Sequence, residues 1–119
     1  MGKILDKLTL IGTTSFKPVD AFFDSGSTYC QLDEELAKEV GVIMLGRKVK
    51  QALGDDREVE AELGFAVVTI KDCNIPALFA VSPQKKYKLT IGQNVMQPYG
   101  VKLDLQKETY EIKCPVPTA

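Results

Sequence analysis

An apolar run early in the chain ends abruptly in polar residues. The segment 21–23 (AFF) is apolar on both faces of a predicted strand, and Asp24 follows it directly, with a serine, a glycine and two more hydroxyl residues next. A carboxylate at the end of a buried strand is costly to desolvate unless hydroxyl and amide groups bind its oxygens. Gly26 permits a tight turn that brings such donors back towards Asp24. The sequence therefore predicts a polar loop beginning in the core, although an Asp-Ser-Gly tripeptide alone is also typical of an ordinary turn.

The segment 47–63 predicts a long hairpin. Lysines alternate with apolar residues in its first strand, and glutamates do so in its second. A turn with an odd number of residues sets Lys48 opposite Glu62 and Lys50 opposite Glu60. An even turn would set the lysines against apolar residues. The charge pattern therefore favours an odd turn, with one face of the hairpin in solvent.

The tip of this hairpin falls at Gly54-Asp55-Asp56. Beyond Gly64 the second strand becomes apolar on both faces, at residues 65–70. One end of the strand is thus expected to project from the body while the other is anchored in the core, as in a flap over a cleft. A surface hairpin without a functional role is the alternative interpretation.

Short apolar segments separated by turn residues make up most of the remaining chain. Alternating or continuous apolar patterns predict strands at 3–11, 16–23, 75–81, 89–91, 101–105 and 109–112. Asp33 is a candidate N-cap for a short helix at 34–40, with Leu36 and Val40 on its buried side and Gly41 after its end. A helical turn is expected at 93–97. The pattern is typical of a mainly β protein.

Three segments, in this order, resemble the signature of the retropepsin-like aspartic peptidases (clan AA), the single-domain relatives of retroviral proteases. They are residues 21–27 (AFFDSGS), 52–57 (ALGDDR) and 89–94 (LTIGQN). Thr90 departs from the pattern, which usually has an apolar residue there. The resemblance covers roughly the whole chain. It implies the acid protease fold: a closed or partly open β-barrel with one or two short helices and a flap hairpin at about 47–63, residues 1–119 forming one domain.

The resemblance also implies catalytic roles for three residues. Asp24 is expected to be the acid/base that activates water, Ser25 to brace paired loops across a dimer axis, and Gly26 to let the loops approach. One carboxylate cannot both deprotonate water and protonate the reacting carbonyl, whereas two that share a proton can. Because the chain has a single Asp-Ser-Gly, we expect the second aspartate to come from another copy in a symmetric homodimer.

Substrate binding is expected at the flap tip, where Gly54 would offer backbone groups to an extended peptide and Leu53 and Asp55 would lie beside it. Such a peptide would bind as an added strand, with pockets for alternate side chains. Asp55 and Asp56 at the tip could favour basic peptides, but such residues are more typical of an ordinary turn. Tyr29 and Cys30 could border the cleft or belong to the core.

The chain has no histidine, which limits the chemistry available to it. Nucleophile pairs that depend on histidine and all histidine-ligated metal centres are excluded. Proton transfer in an enzyme of this sequence must use Asp, Glu, Lys, Tyr or Cys. We expect neither a metal nor an organic cofactor.

Charge and cysteine content bear on partners and compartment. The net charge is −1 with both signs interspersed, so nucleic acid is not an expected partner. No apolar run has the length of a membrane span. Cys30, Cys73 and Cys114 are odd in number and lack metal-type spacing, so no disulfide framework is predicted. These features favour a cytoplasmic protein, or the soluble part of a longer or membrane-anchored one.

The sequence leaves three functional hypotheses. The first is an aspartic endopeptidase that hydrolyses peptide bonds in protein or peptide substrates. The second is a catalytically weak or inactive member of the same fold that binds peptides or mediates dimerisation. The third is a small β-barrel scaffold in which Asp24 only caps a loop.

Overall fold

The computed structural model of the chain describes residues 2–52 and 58–114. Within these residues the chain forms nine strands and two short helices, which confirms the prediction of a mainly β protein. The strands are β1 (Leu5–Ile11), β2 (Phe16–Phe23), β3 (Cys30–Asp33), β4 (Ile43–Ala52), β5 (Glu58–Ile70), β6 (Cys73–Ser82), β7 (Leu89–Ile91), β8 (Lys102–Asp104) and β9 (Thr109–Glu111). The helices are α1 (Glu34–Val40) and α2 (Gln93–Met96).

Six strands close into a barrel in the order β1-β2-β7-β3-β6-β5, and pairing between β1 and β5 completes the ring. That closing ladder runs from Thr9 opposite Thr69 to Ile11 opposite Val67. Strand β4 lies outside the ring and pairs with β5. The predicted barrel is therefore confirmed, and β3, which the sequence patterns do not single out, is one of its members.

The barrel interior is filled by alternate side chains of these strands, as period-two patterning requires. On β1 the buried residues are Leu8 and Leu10. The proline of β2, Pro18, lies where β2 pairs with β1 alone, because β2 meets β7 only at Ala21–Phe23. An edge position tolerates the missing N–H of proline.

Helix α1 has its predicted bounds, but its start differs from the expectation. Leu36 and Val40 are buried, and Gly41 ends the helix with a left-handed φ of 79°. Asp33 occupies the N-cap position without making a side-chain capping bond. Its Oδ1 instead accepts a hydrogen bond of 3.0 Å from the backbone N–H of Gln84. The Asp33 carboxylate thus ties the helix start to the segment after β6.

The β4–β5 hairpin has the register that the charge pattern predicts. Lys48 lies opposite Glu62 and Lys50 opposite Glu60, which confirms an odd number of residues in the turn. The tip, residues 53–57, lies outside the described residues. Beyond Gly64 the second strand is anchored in the barrel through the buried residues Ala66, Val68 and Ile70, whereas Phe65 on its opposite face is 37% exposed. Its side chain points out of the barrel, where no other layer covers it within the described residues.

The C-terminal hairpin β8–β9 packs beneath the barrel as a separate two-stranded sheet. Tyr110 is buried against Phe23, with ring centroids 4.3 Å apart. Cys73 and Cys114 form a disulfide with their Cα atoms 5.7 Å apart, so the expectation of no disulfide is wrong. Spacing did not reveal the pair because it forms only once the hairpin has docked beside the β5–β6 turn.

Neither helix in the described part of the chain is long enough to cross a bilayer. The longer one, α1, has 7 residues. A spanning helix needs about 20 residues.

Candidate active site

Two segments of the chain, the loop after β2 and the segment after β7, meet at one end of the barrel. Strand β7 lies between β2 and β3, parallel to β2 and antiparallel to β3. The segment 24–29, which joins β2 to β3, must therefore pass around the end of β7. The polar loop that follows β2 and the start of α2 after β7 are brought together as a result.

Asp24 is the first residue of this loop and is half-buried. Its backbone N–H donates to the carbonyl oxygen of Ile91 at 3.0 Å, and its carbonyl oxygen accepts from the N–H of Ser27 at 3.1 Å. The N–H of Gly26 donates to the Asp24 Oδ1 atom at 2.9 Å, as the tight turn predicts. Among the described residues no group donates to Oδ2. The carboxylate is therefore held by one oxygen and presents the other.

Ser27 anchors the far side of the loop. It is buried, and its hydroxyl donates to the carbonyl oxygen of Tyr29 at 2.6 Å. The Nε2 atom of Gln31 in turn donates to the Ser27 Oγ atom at 3.0 Å. These contacts make Ser27 a turn-stabilising residue.

Helix α2 also holds the loop in place, through hydrogen bonds to carbonyl oxygens of the loop. The backbone N–H groups of Gln93 and Asn94 donate to the carbonyl oxygens of Ser27 and Thr28 at 2.7 and 3.0 Å. The Gln93 side chain adds a hydrogen bond of 2.9 Å from Nε2 to the carbonyl oxygen of Ser25. The first donors of a helix lack intrahelical partners, so the loop carbonyls satisfy groups that would otherwise be unpaired.

The approach of α2 to the loop depends on Gly92. A Cβ atom there would lie 2.5 Å from the carbonyl oxygen of Tyr29, so a larger residue cannot fit without moving the backbone. The Asn94 side chain joins two strands, accepting from the Cys30 N–H and donating to the Leu78 carbonyl oxygen, both at 2.8 Å. The loop therefore rests on a rigid base.

A row of side chains extends from Asp24 across five strands. Phe22 lies in β2 two residues before Asp24. The ladder partners continue this row in the order Phe22, Thr90, Gln31, Ala80 and Leu63. The last member lies on β5, whose N-terminal half belongs to the hairpin predicted to be a flap. The row forms a floor between the Asp24 loop and that hairpin.

The segment 83–88 rises beside this floor. Tyr87 stacks on Phe22 with ring centroids 4.7 Å apart and an interplanar angle of 18°. The Lys86 ammonium lies 5.5 Å from the centre of the Tyr87 ring. A groove of about 1190 Å³ runs along the other side of Tyr87, between α1 and this segment, and none of residues 24–31 lines it. Tyr87 thus separates the groove from the floor.

The predicted catalytic residues Asp24, Ser25 and Gly26 lie in one loop, where Asp24 is half-buried and the other two are exposed. The predicted substrate-binding residues Leu53, Gly54 and Asp55 lie outside the described residues.

Sequence reasoning assigned no role to three side chains that shape the site: Gln31, Gln93 and Asn94. A signal did exist for two of them, because amide side chains directly after a strand-ending glycine are suited to bind nearby loop backbone.

Other potentially reactive groups nearby do not form a second centre. Cys30 is fully buried, and burial raises the pKa of its thiol to about 12, which keeps it protonated and unreactive near neutral pH. Tyr29 is half-buried. Within residues 2–52 and 58–114, no three side chains of the metal-ligating types cluster closely enough to hold an ion.

Comparison with solved structures identifies the fold. The retroviral protease-like domain of Ddi1 from Leishmania major aligns with a TM-score of 0.65 and 22% identity, over 94% of this chain and 89% of that one. The EIAV protease, solved with the inhibitor HBY-793, aligns with a TM-score of 0.64 and 17% identity, over 87% and 93%. Lpg0085 from Legionella pneumophila, a protein of unknown function, aligns at 0.51 and 14%, over 81% and 85%.

These likenesses show that the chain has a retropepsin-like fold, as its sequence motifs predict. A scan against protein-family models finds no match, and a search of curated proteins finds none either. At these identities the solved structures establish the fold alone.

Proposed function

We propose that the chain is an aspartic endopeptidase that works as a symmetric homodimer. The proposal depends on how the Asp24 carboxylate is held within a retropepsin-like barrel. The carboxylate stands at the end of a buried strand, one oxygen is fixed by the Gly26 N–H, and the other is free of described donors. A group that is both positioned and accessible is what acid/base catalysis needs.

The dimer follows from the chemistry of a shared proton. Two carboxylates a few ångströms apart cannot both ionise, so the pair keeps one acid and one base over a useful pH range. None of the hydrogen bonds or ion pairs of the described residues joins Asp24 to another carboxylate. A two-fold axis through the loop supplies the missing partner, Asp24 of the partner subunit, and brings the two exposed Ser25 residues near that axis.

In the proposed reaction the ionised Asp24 takes a proton from a water molecule as the water oxygen attacks the peptide carbonyl carbon. The protonated Asp24 of the other subunit gives its proton to the carbonyl oxygen, which forms a neutral tetrahedral diol. A hydroxyl of the diol then gives its proton to the ionised carboxylate, while the protonated carboxylate gives its proton to the leaving nitrogen. The C–N bond breaks, and the dyad again holds one proton.

The substrate is proposed to bind as an extended strand between the floor and the flap. Backbone groups at Gly54, flanked by Leu53 and Asp55, would pair with the peptide from above, and the row from Phe22 to Leu63 would receive alternate side chains from below. This arrangement accounts for recognition of peptide backbone without a cofactor.

The experiment compares wild type with Asp24→Asn on an unstructured protein substrate between pH 4 and pH 7. Cleavage that a statine-type inhibitor blocks, and that Asp24→Asn lacks, supports the proposal. Asparagine has the same shape but cannot take up the proton, so a loss of at least about 10³-fold is expected. Sedimentation of both proteins reports the dimer.

A matched control is Asp104→Asn, which makes the same chemical change in the C-terminal hairpin and should cleave like wild type. Equal cleavage by wild type and Asp24→Asn would overturn the proposal. Inhibitor binding by a dimer that never cleaves would instead support a peptide-binding module of the same fold.

A further inference from the structure

The segment 83–88 carries three lysines around Tyr87, and it packs against the end of the strand that leads into Asp24. Tyr87 stacks on Phe22, which lies in β2 two residues before Asp24. Lys86 sits over the Tyr87 ring, and Lys3 from the N-terminal segment lies beside both residues. Positive charge is thus gathered at the rim of the floor, next to an aromatic surface.

Most of the neighbouring charged side chains form ion pairs, but within the described residues Lys3 and Lys86 do not. Lys88 contacts Asp33 at 3.8 Å, and elsewhere around the groove Lys17 contacts Glu39 at 2.8 Å. Within the described residues neither Lys3 nor Lys86 has a carboxylate at ion-pair distance.

Two of the carboxylates that line the adjoining groove are already engaged by other donors. Asp33 also accepts from the Gln84 N–H, and Asp6 accepts from the Tyr110 hydroxyl.

We propose that Lys3 and Lys86 select peptide substrates that carry acidic residues close to the scissile bond. The inference rests on the proposed function and specifies its substrate class. A carboxylate placed beside both ammonium groups is attracted by each of them. The Phe22–Tyr87 stack offers an apolar surface beside them, so the preferred peptide pairs an apolar side chain with a neighbouring Asp or Glu.

The symmetry of the dimer extends the preference to both sides of the bond. A two-fold axis through the Asp24 loops repeats the rim at each end of the cleft. A peptide with acidic residues on both flanks therefore contacts two copies of the Lys3–Lys86 pair. A peptide with acidic residues on both flanks should therefore gain about the same factor in kcat/KM a second time, compared with a peptide that is acidic on one flank.

The test uses a series of fluorogenic peptides that share one apolar core and differ in the flanking residues, with glutamate, glutamine or lysine at each flank. For wild type we expect kcat/KM to rise about two- to fivefold for each glutamate relative to glutamine, the range of solvent-exposed charge pairs. The advantage should shrink as salt rises, because such pairs are screened. Lys86→Glu should reverse the order of the glutamate and lysine peptides.

The matched control is Lys107→Glu, which changes the net charge equally in the turn of the β8–β9 hairpin and should keep the wild-type preference. Fluorescence anisotropy of labelled peptides bound to Asp24→Asn gives the same comparison without cleavage. Cleavage without a charge preference would overturn this inference and leave the peptidase intact. If the wild type cleaves none of the peptides, tighter binding of the glutamate series still supports the inference, and equal or absent binding overturns it.

Discussion

The side-chain oxygen of Asn94 accepts a hydrogen bond of 2.8 Å from the backbone N–H of Cys30. The amide nitrogen of the same side chain donates to the carbonyl oxygen of Leu78, also at 2.8 Å. Helix α2 is thereby bound to β3 and to β6, directly behind the loop that carries Asp24. A single amide thus couples the Asp24 loop to the central strands of the barrel.

We expect Asn94→Ala to lower the free energy of unfolding by about 2–3 kcal/mol, because it leaves two backbone groups in the interior without partners. Urea denaturation measures this change. The control is Gln97→Ala, an exposed position one turn further along, which should change stability by less than about 0.5 kcal/mol. Equal effects of the two substitutions would contradict the bridging role of Asn94.

Gly92→Ala tests the contact between α2 and the loop. The added Cβ would lie 2.5 Å from the Tyr29 carbonyl oxygen and 2.8 Å from that of Ser27, and backbone atoms cannot move aside cheaply. We expect a loss of about 3 kcal/mol or more, comparable to severe overpacking. Gly46→Ala is the comparison, since nothing lies within 4 Å there and only its φ of 72° opposes the change. It should cost about 1–2 kcal/mol.

Much of the fold could be predicted because local patterns and motifs agree. The charge alternation around Lys48 and Glu62 specified the hairpin register, since a slip by one residue would have buried lysines. The order of the three motifs resembles that of the retropepsin-like peptidases, and this resemblance implied the barrel. Asp24, Ser25 and Gly26 could be placed in one loop because a glycine turn keeps neighbours close.

Features that depend on distant packing could not be predicted. The Cys73–Cys114 pair spans 41 residues, and only the docking of Tyr110 against Phe23 brings its two ends together. Strand β3 joins the barrel through β6 and β7, which are distant in the sequence, so no local pattern marks its place. The row from Phe22 to Leu63 depends on strand order, which hydrophobic pattern alone does not specify.

Tyr110→Phe should change how stability depends on alkaline pH. Burial, followed by the hydrogen bond to Asp6, raises the pKa of Tyr110 above its usual value of 10. Above about pH 10 the unfolded chain loses this proton while the folded chain keeps it, so the stabilising contribution of Tyr110 is complete below pH 10 and is lost as pH rises further.

Denaturation of wild type and Tyr110→Phe between pH 8 and pH 12 measures this effect. The variant loses the 2.6 Å hydrogen bond to Asp6, worth about 1 kcal/mol at neutral pH. Its stability should then fall less steeply than that of wild type above pH 10. Parallel curves would show that Tyr110 ionises equally easily in both states.

Reduction of the Cys73–Cys114 disulfide should lower the free energy of unfolding by about 2–4 kcal/mol, because the cross-link restricts the unfolded chain. Denaturation with and without a phosphine reductant measures the difference. The double variant Cys73→Ser, Cys114→Ser should match the reduced protein and ignore the reductant. If the reductant also changed the stability of the double variant, the change would have to be attributed to Cys30, the remaining cysteine.

Charge reversal in the β4–β5 hairpin tests the register of its two strands. Glu60→Lys sets two lysines opposite each other at the Lys50 position and should cost about 0.5 kcal/mol in urea denaturation. Adding Lys50→Glu restores an opposite-charge pair and should recover most of that loss in a double-mutant cycle. Adding Lys48→Glu instead gives the same net charge but leaves Glu62 facing a glutamate, so it should recover none. Equal recovery by both second substitutions would mean that net charge, and not the ladder partner, sets the stability of the hairpin.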